Sequence, residues 1–462
     1  MLPTKIVAIG AGSAIFGLNT VAALMGSERL RGSHLALVDR NAETLALITR
    51  LAERLNREWD AEMTISAHTH HNDALSGAEF VVSAIEAPPR EVLWRSDFEI
   101  PLKYGVRQPY AENGGPGGFI HAARNIGPVM EIVHDMEQQC PDAWFLNYTN
   151  PMIRICDAIA RYSEIKVVGL CHQIHAAYGM IGYALADDLG ITVPEPVTST
   201  HADPYTWPPL VKVIHQAMKR IDIQAAGINH FSWVLGIYDR QNGRDLYPLF
   251  TERWAELDPT FEPLTRRIYD IFGLFPVAGD EHMCEYLPWV NDPITKPWEK
   301  YDISLYDWGL WEDLRRIGHD DIAEMGAGEK DIGFLREVDS EGALELIVNI
   351  AGAGNHYHPA VNLPNQGYIA NLPDGSIVEV PGLVSGAGVQ GVGVGNLPEP
   401  VAELLRRELT VARLGIDAAI HGDRQAALQC LLLDPIVSDL EVARLILDDY
   451  LKVYRDYLPQ FW

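Results

Sequence analysis

The chain has 462 residues, of which 47% are hydrophobic and 21% charged, with a net charge of −27. This is the make-up of a globular protein of one large or two ordinary domains. The acidic balance, with no basic stripe to offset it, excludes nucleic acid and anionic membrane surfaces as partners.

No apolar run approaches the ~20 residues of a membrane span, and the N-terminus enters a strand without a signal-like segment. Five cysteines, at 140, 156, 171, 284 and 430, form an odd set without framework spacing. Reduced thiols and a cytoplasmic location are therefore expected.

In chain order, the first element is "KIVAIGAG", a continuous apolar strand running into glycines. Gly10 and Gly12 then open a helix, an arrangement in which backbone amides and a helix N-terminus meet a pyrophosphate. Ser13 and Phe16 lie in the same loop and are expected to touch the cofactor. Asp39 closes the second strand, "HLALVD", where a carboxylate accepts from the ribose hydroxyls and repels a 2′-phosphate; NAD is expected rather than NADP. The third glycine of the fingerprint is out of register, since Ile15 stands in its place and the next glycine is Gly17.

Further strands are expected in "AEFVVSAIEA", "AWFLNYTNP" and "IKVVGLCH", with helices over 41–57 and 119–139 between them. The alternation predicts an α/β fold, a Rossmann-like doubly wound parallel sheet that collects ligands beyond its strand ends. The histidine tract "HTHH" at 68–71 reads as a solvated loop. From about residue 190 the pattern loosens into Pro/Trp-rich pieces, a glycine-rich section at 382–396 and long amphipathic helices. The expected division is an NAD-binding domain over 1–190 and a substrate-binding and oligomerisation α+β domain over 191–462, without internal repeats.

Cys171 and His172 stand at the carboxyl end of an expected strand, and His230 lies beyond a short apolar stretch in "AAGINHFSW". A thiolate and an imidazole suit a transition metal, but two ligands do not make a site. Each histidine alone reads equally as a hydrogen-bonded core residue, and Cys171 as a small buried hydrophobe. The fold favours the metal: both segments are expected to converge over the nicotinamide end of a cofactor, where a divalent ion polarises a hydroxyl and a carbonyl. His201, Asp203, His356 and His358 are secondary candidates for metal, pocket wall or substrate contact.

Seven blocks span almost the whole chain: "AIGAGS", "GGPGGF" at 114–119, "NYTNPM" at 147–152, "GLCH" at 169–172, "GINHFSW" at 227–233, "AGDEHMCEYLP" at 278–288 and "VNLPNQGYIANLP" at 361–373. In this order the sequence resembles glycoside hydrolase family 4, the NAD- and manganese-dependent glycosidases, and most of all its α-galacturonidase branch, the LplD-like proteins. The resemblance implies a lactate/malate dehydrogenase-like architecture, NAD and Mn2+ as cofactors, a sugar or oligosaccharide substrate, and a homodimer or homotetramer. It also implies that Cys171 and His230 hold the metal and that Asn150 contacts sugar and cofactor. Asp280 is the implied catalytic base, and His172 the implied substrate contact or proton donor. Glu112, where relatives commonly carry an aspartate, and Arg124, in the helix after the glycine-rich block, are the remaining implied substrate contacts.

The implied chemistry departs from the usual pair of carboxylates. It runs through oxidation at sugar carbon 3, loss of the carbon 2 proton, elimination of the glycosidic oxygen, water addition and re-reduction. The expected substrate is an α-linked unphosphorylated hexoside or hexuronide, an α-galacturonide first, with α-glucosides, α-galactosides and α-glucuronides open. A hydroxy-acid dehydrogenase would leave the long second half and the Cys171/His172/His230 set without a role. A nucleotide-sensing protein with a decayed site would not need them intact.

Overall fold

The computed structural model describes residues 3–14, 16–194, 197, 207–338 and 340–462; Ile15, His201 and Asp203 lie outside the described residues. Among the described residues twelve strands form one sheet: β1 Lys5–Ile9, β2 His34–Val38, β3 Thr64–His68, β4 Phe80–Ser83, β5 Trp144–Asn147, β6 Lys166–Gly169, β7 Ile221–Ile228, β8 Phe231–Asp239, β9 Phe275–Pro276, β10 Asn355–Pro364, β11 Ile377–Ser385 and β12 Gly388–Gly391. Their order is β3-β2-β1-β4-β5-β6-β10-β11-β7-β8-β9, with β12 paired to β11. The first six are parallel in the doubly wound order, and the junctions beyond β6 are antiparallel. The central strands are buried at nearly every position, as a parallel sheet covered on both faces requires.

Two joints are narrow, one between the parallel and antiparallel parts and one within the antiparallel part. A single register pair, Asn362 with Gly169, joins β10 to β6, and another, Glu379 with Gly227, joins β11 to β7. Three helices, Glu399–His421, Arg424–Leu433 and Leu440–Val453, end the chain as the amphipathic pattern predicts. Among the described residues no helix is long and apolar enough to cross a membrane.

The glycine loop shows why its spacing tolerates a displaced third glycine. Gly10 has φ +80°, and a Cβ there would stand 2.3 Å from the Ala84 carbonyl oxygen at the end of β4. The following helix, Phe16–Met25, carries Gly17, where a Cβ would lie 2.1 Å from the Ala11 carbonyl oxygen. Gly17 thus lets helix and loop pack closely, the task the fingerprint's third glycine performs from two residues earlier. Gly17→Ala is expected to lower stability by about 1–3 kcal/mol through overpacking, read as a lower urea midpoint.

Candidate active site

A cavity of ≈ 760 Å3 opens above the carboxyl ends of the parallel strands and runs from the glycine loop to the β7–β8 turn. Gly10, Gly12, Ser13, Phe16 and Asp39 line one end, where Asp39 Oδ2 accepts from the Gly12 amide at 2.9 Å and Oδ1 from the Asn41 amide at 2.8 Å. These bonds fix the carboxylate while leaving it lone pairs for further donors. Thr69, His70 and His71 of the histidine tract reach the same end. His70 is exposed as expected of a loop, whereas His71 is half-buried and bonded to Asp135 at 2.7 Å. One long helix, Trp308–Ala327, spans the cavity with Trp311, Arg315 and His319 at four-residue spacing, one face of an α-helix. His319 Nε2 lies 3.0 Å from the Gly12 carbonyl oxygen.

At the other end Cys171 follows β6, and its Sγ lies 3.4 Å from His230 Nε2. His230 occupies the turn between β7 and β8 with φ +64°, a left-handed conformation that a non-glycine residue keeps only where its surroundings impose it. Asn113 Nδ2 lies 2.8 Å from His230 Nδ1, which directs Nε2 at the thiol. The His282 ring lies 4.0 Å from that of His230, and its Nδ1 is 2.8 Å from Glu285 Oε1. One donor atom from each of Glu112, His230, His282 and Glu285 lies within 4.8 Å of the others.

Burial, reinforced by His282, holds His230 well below its ordinary pKa and hence neutral, the form that binds metals. Burial first, and then the Glu341 charge, push the Cys171 thiol well above its ordinary value. Burial and the Glu285 charge outweigh the pull of His282 and push Glu112 up to about 7. Around this cluster stand Asn150, whose buried Oδ1 has no protein partner, and His172, whose Nδ1 is 3.1 Å from Glu341 Oε1. Both line the cavity. A thiol, two imidazoles with occupied Nδ1 atoms, converging carboxylates and an unpartnered amide oxygen are a donor set that fits a divalent transition metal.

A buried carboxylate holds these pieces in register. Glu379, 2% exposed, accepts from Asn229 Nδ2 at 3.0 Å, Ser232 Oγ at 2.7 Å and Asn362 Nδ2 at 3.1 Å. Asn229 and Ser232 flank the turn that carries His230, and Asn362 reaches the carbonyl of Gly169, two residues before Cys171.

Two expectations are corrected. Asp280 does not line the cavity: its carboxylate caps the helix Pro263–Phe272, accepting from the Leu264 and Thr265 amides at 2.9 and 2.6 Å. On the helix Gly279–Tyr286, residues two apart are turned about 200° from each other, so the face opposite Asp280 presents His282. Arg124 is fully buried beneath the site and paired with Asp97 and Glu86, so burial takes it out of reach of a substrate. His356 and His358 lie on β10, outside the lining. Sequence reasoning missed His282, Glu285 and Glu341. The first two form a His-x-x-Glu pair whose i, i+3 spacing signals a shared helix face, whereas nothing local marks Glu341.

Comparison with known proteins gives a consistent picture. Residues 5–186 match the model described as Family 4 glycosyl hydrolase, and residues 225–437 match its C-terminal domain. The chain is 30% identical over 468 residues to an α-galactosidase of Bacillus subtilis, covering 99% of each chain. It is 28% identical over 476 residues to an α-galacturonidase of Thermoanaerobacterium saccharolyticum, covering 97% of this chain and 95% of that one. The solved structure of the lplD protein of Bacillus subtilis superposes with a TM-score of 0.83 at 25% identity, over 97% of this chain and 99% of that one. A 6-phospho-α-glucosidase from gut microorganisms, solved with NAD and Mn2+, shares the fold at a TM-score of 0.79 and 22% identity over all of both chains.

Two substitutions separate structural from chemical roles. Arg124→Met strands Asp97 and Glu86 and is expected to cost about 3–5 kcal/mol of stability, measured by urea denaturation; a substrate contact would raise KM at unchanged stability. Glu379→Gln turns one acceptor into a donor and is expected to cost about 1–3 kcal/mol. It should also speed labelling of Cys171, the one cysteine of the five that is not buried.

Proposed function

The chain belongs to family 4 of the glycosyl hydrolases, and from that premise we propose that it hydrolyses α-linked, unphosphorylated hexosides or hexuronides with NAD and Mn2+, or another divalent ion, as cofactors. The observation that carries this reading is one cavity shared by a dinucleotide-type glycine loop and a thiol–imidazole cluster. A simple dehydrogenase has no use for the second half of that pairing. The relatives that are α-glycosidases, and the neighbour that binds NAD and Mn2+, agree with it.

Gly10, Gly12, Ser13, Phe16 and Asp39 would hold the dinucleotide. Cys171, His230 and His282 would hold the ion, with Glu285 and Asn113 orienting the two imidazoles. When bound, NAD would supply reversible hydride exchange at sugar carbon 3, and the ion would supply Lewis-acid polarisation of the sugar's oxygens. Asn150 and Glu112 face the sugar and orient its hydroxyls. His172, held by Glu341 through Nδ1, presents Nε2 to the cavity and delivers a proton to the departing glycosidic oxygen. The carbon 2 proton needs a base that reaches the cavity; Glu112 does and Asp280 does not.

Chelator-stripped protein, given aryl α-glycosides with NAD and Mn2+ separately and together, is expected to release the aryl group only when both are present. Turnover with neither would overturn the cofactor assignment. Cys171→Ser is expected to lose at least about tenfold in Mn2+ affinity, since a thiolate ligand is replaced by a neutral hydroxyl, measured by titration of the ion alone.

A further inference from the structure

The glycosidase reading leaves the substituent on sugar carbon 6 open, and any assignment of that substituent rests on the same reading. Among the described residues that line the cavity, the permanent cations are three arginines, each facing a carboxylate. Arg40, at the glycine-loop end, faces Glu131 at 3.8 Å. Arg90 lies 2.5 Å from Glu86, and Arg315 lies 2.5 Å from Glu91.

Both pairs at the substrate end are partly buried, and the acid of the Arg90 pair is firmly ionised. Burial by itself raises Glu86, yet Arg90, His121 and Arg124 together hold its carboxyl well below the usual carboxylate range. Arg124 is in turn taken by Asp97. His121 adds little positive charge, because burial lowers it and its Nε2 faces Glu86 at 3.0 Å. Glu112 and Glu341 line the same cavity.

Once each arginine is set against its glutamate, and the two charges of a bound ion against the Cys171 thiolate and the carboxylates of Glu112, Glu285 and Glu341 around it, the field at the substrate end is neutral to negative. A carboxylate or phosphate on carbon 6 must either displace a glutamate from its arginine or sit among acids. Both cost binding energy that a buried site magnifies. A hydroxymethyl group meets no such cost, because its hydroxyl donates to a carboxylate and accepts from a guanidinium already in place.

We infer that the sugar this cavity accepts is a neutral hexoside with a hydroxymethyl group at carbon 6, and that hexuronides and 6-phosphohexosides are poor substrates. This reverses the substrate order expected from the sequence, which put an α-galacturonide first.

The test compares 4-nitrophenyl α-galactoside and α-glucoside with the α-galacturonide, the α-glucuronide and the 6-phospho-α-glucoside, all with NAD and Mn2+ supplied. The best neutral glycoside is expected to exceed every anionic one by at least about tenfold in kcat/KM, the scale of like-charge discrimination. Glu91→Gln unmasks Arg315 from outside the cavity lining. It is expected to narrow the gap severalfold by raising the anionic substrates alone, with the neutral rates showing that the variant is folded. An anionic glycoside that matches the best neutral one in the unsubstituted protein overturns the inference and leaves the glycosidase reading intact. A gap unchanged in Glu91→Gln overturns the arginine account of it. Release from none of the five overturns both readings.

Discussion

The geometry of the cavity depends on a carboxylate that no substrate touches. Glu379, on β11, sits beside two joints made by single register pairs, β6 with β10 and β11 with β7, the weakest places in an otherwise continuous ladder. Backbone pairing is sparse there, so side chains take over. Asn229, Ser232 and Asn362 bring three donors to one acceptor. A buried carboxylate short of donors would be costly, and one fully supplied fixes its neighbours in position. The strand end that carries Cys171 and the strained turn that carries His230 are both attached to it, so a thiol and an imidazole 59 residues apart in sequence meet at 3.4 Å.

A second buried array supports the opposite wall. Asp97, Arg124 and Glu86 form a chain of ion pairs that passes to His121 Nε2 at 3.0 Å, and His121 Nδ1 lies 3.2 Å from the Glu112 carbonyl oxygen. The arginine read from the sequence as a sugar contact thus contributes at one remove, by neutralising the acid that anchors Arg90 and His121. The cavity is bounded by residues whose charges are already matched, and those matches are made by residues that a substrate never meets.

Much of this was legible in the sequence, and the reason is local. Apolar runs that stop at glycines mark the strand ends, and parallel sheets gather ligands there, so the glycine loop, Asp39, Asn150, Cys171 and His172 are found from short windows. His230 follows the same logic one hairpin later. The failures came where the answer lies across space. Asp280 and His282 share a helix, and only packing against the helix Pro263–Phe272 decides which of them is spent on a cap. Arg124 looks alike in sequence whether its partner is a sugar or Asp97. Glu341 is distant from every motif and joins the site only through His172. Gly17 shows the converse, since a fingerprint that fails by position succeeds by contact.

The helix Trp308–Ala327 joins the two ends of the cavity. Its His319 rests on the glycine loop through Gly12, while Arg315 and Trp311, one and two turns earlier, border the substrate end. An α-helix of this length moves nearly as a rigid rod, so an adjustment made where one ligand binds is felt where the other binds. Linkage then makes the exchange symmetrical: whatever affinity the first occupant lends the second through this helix, the second lends the first in equal measure.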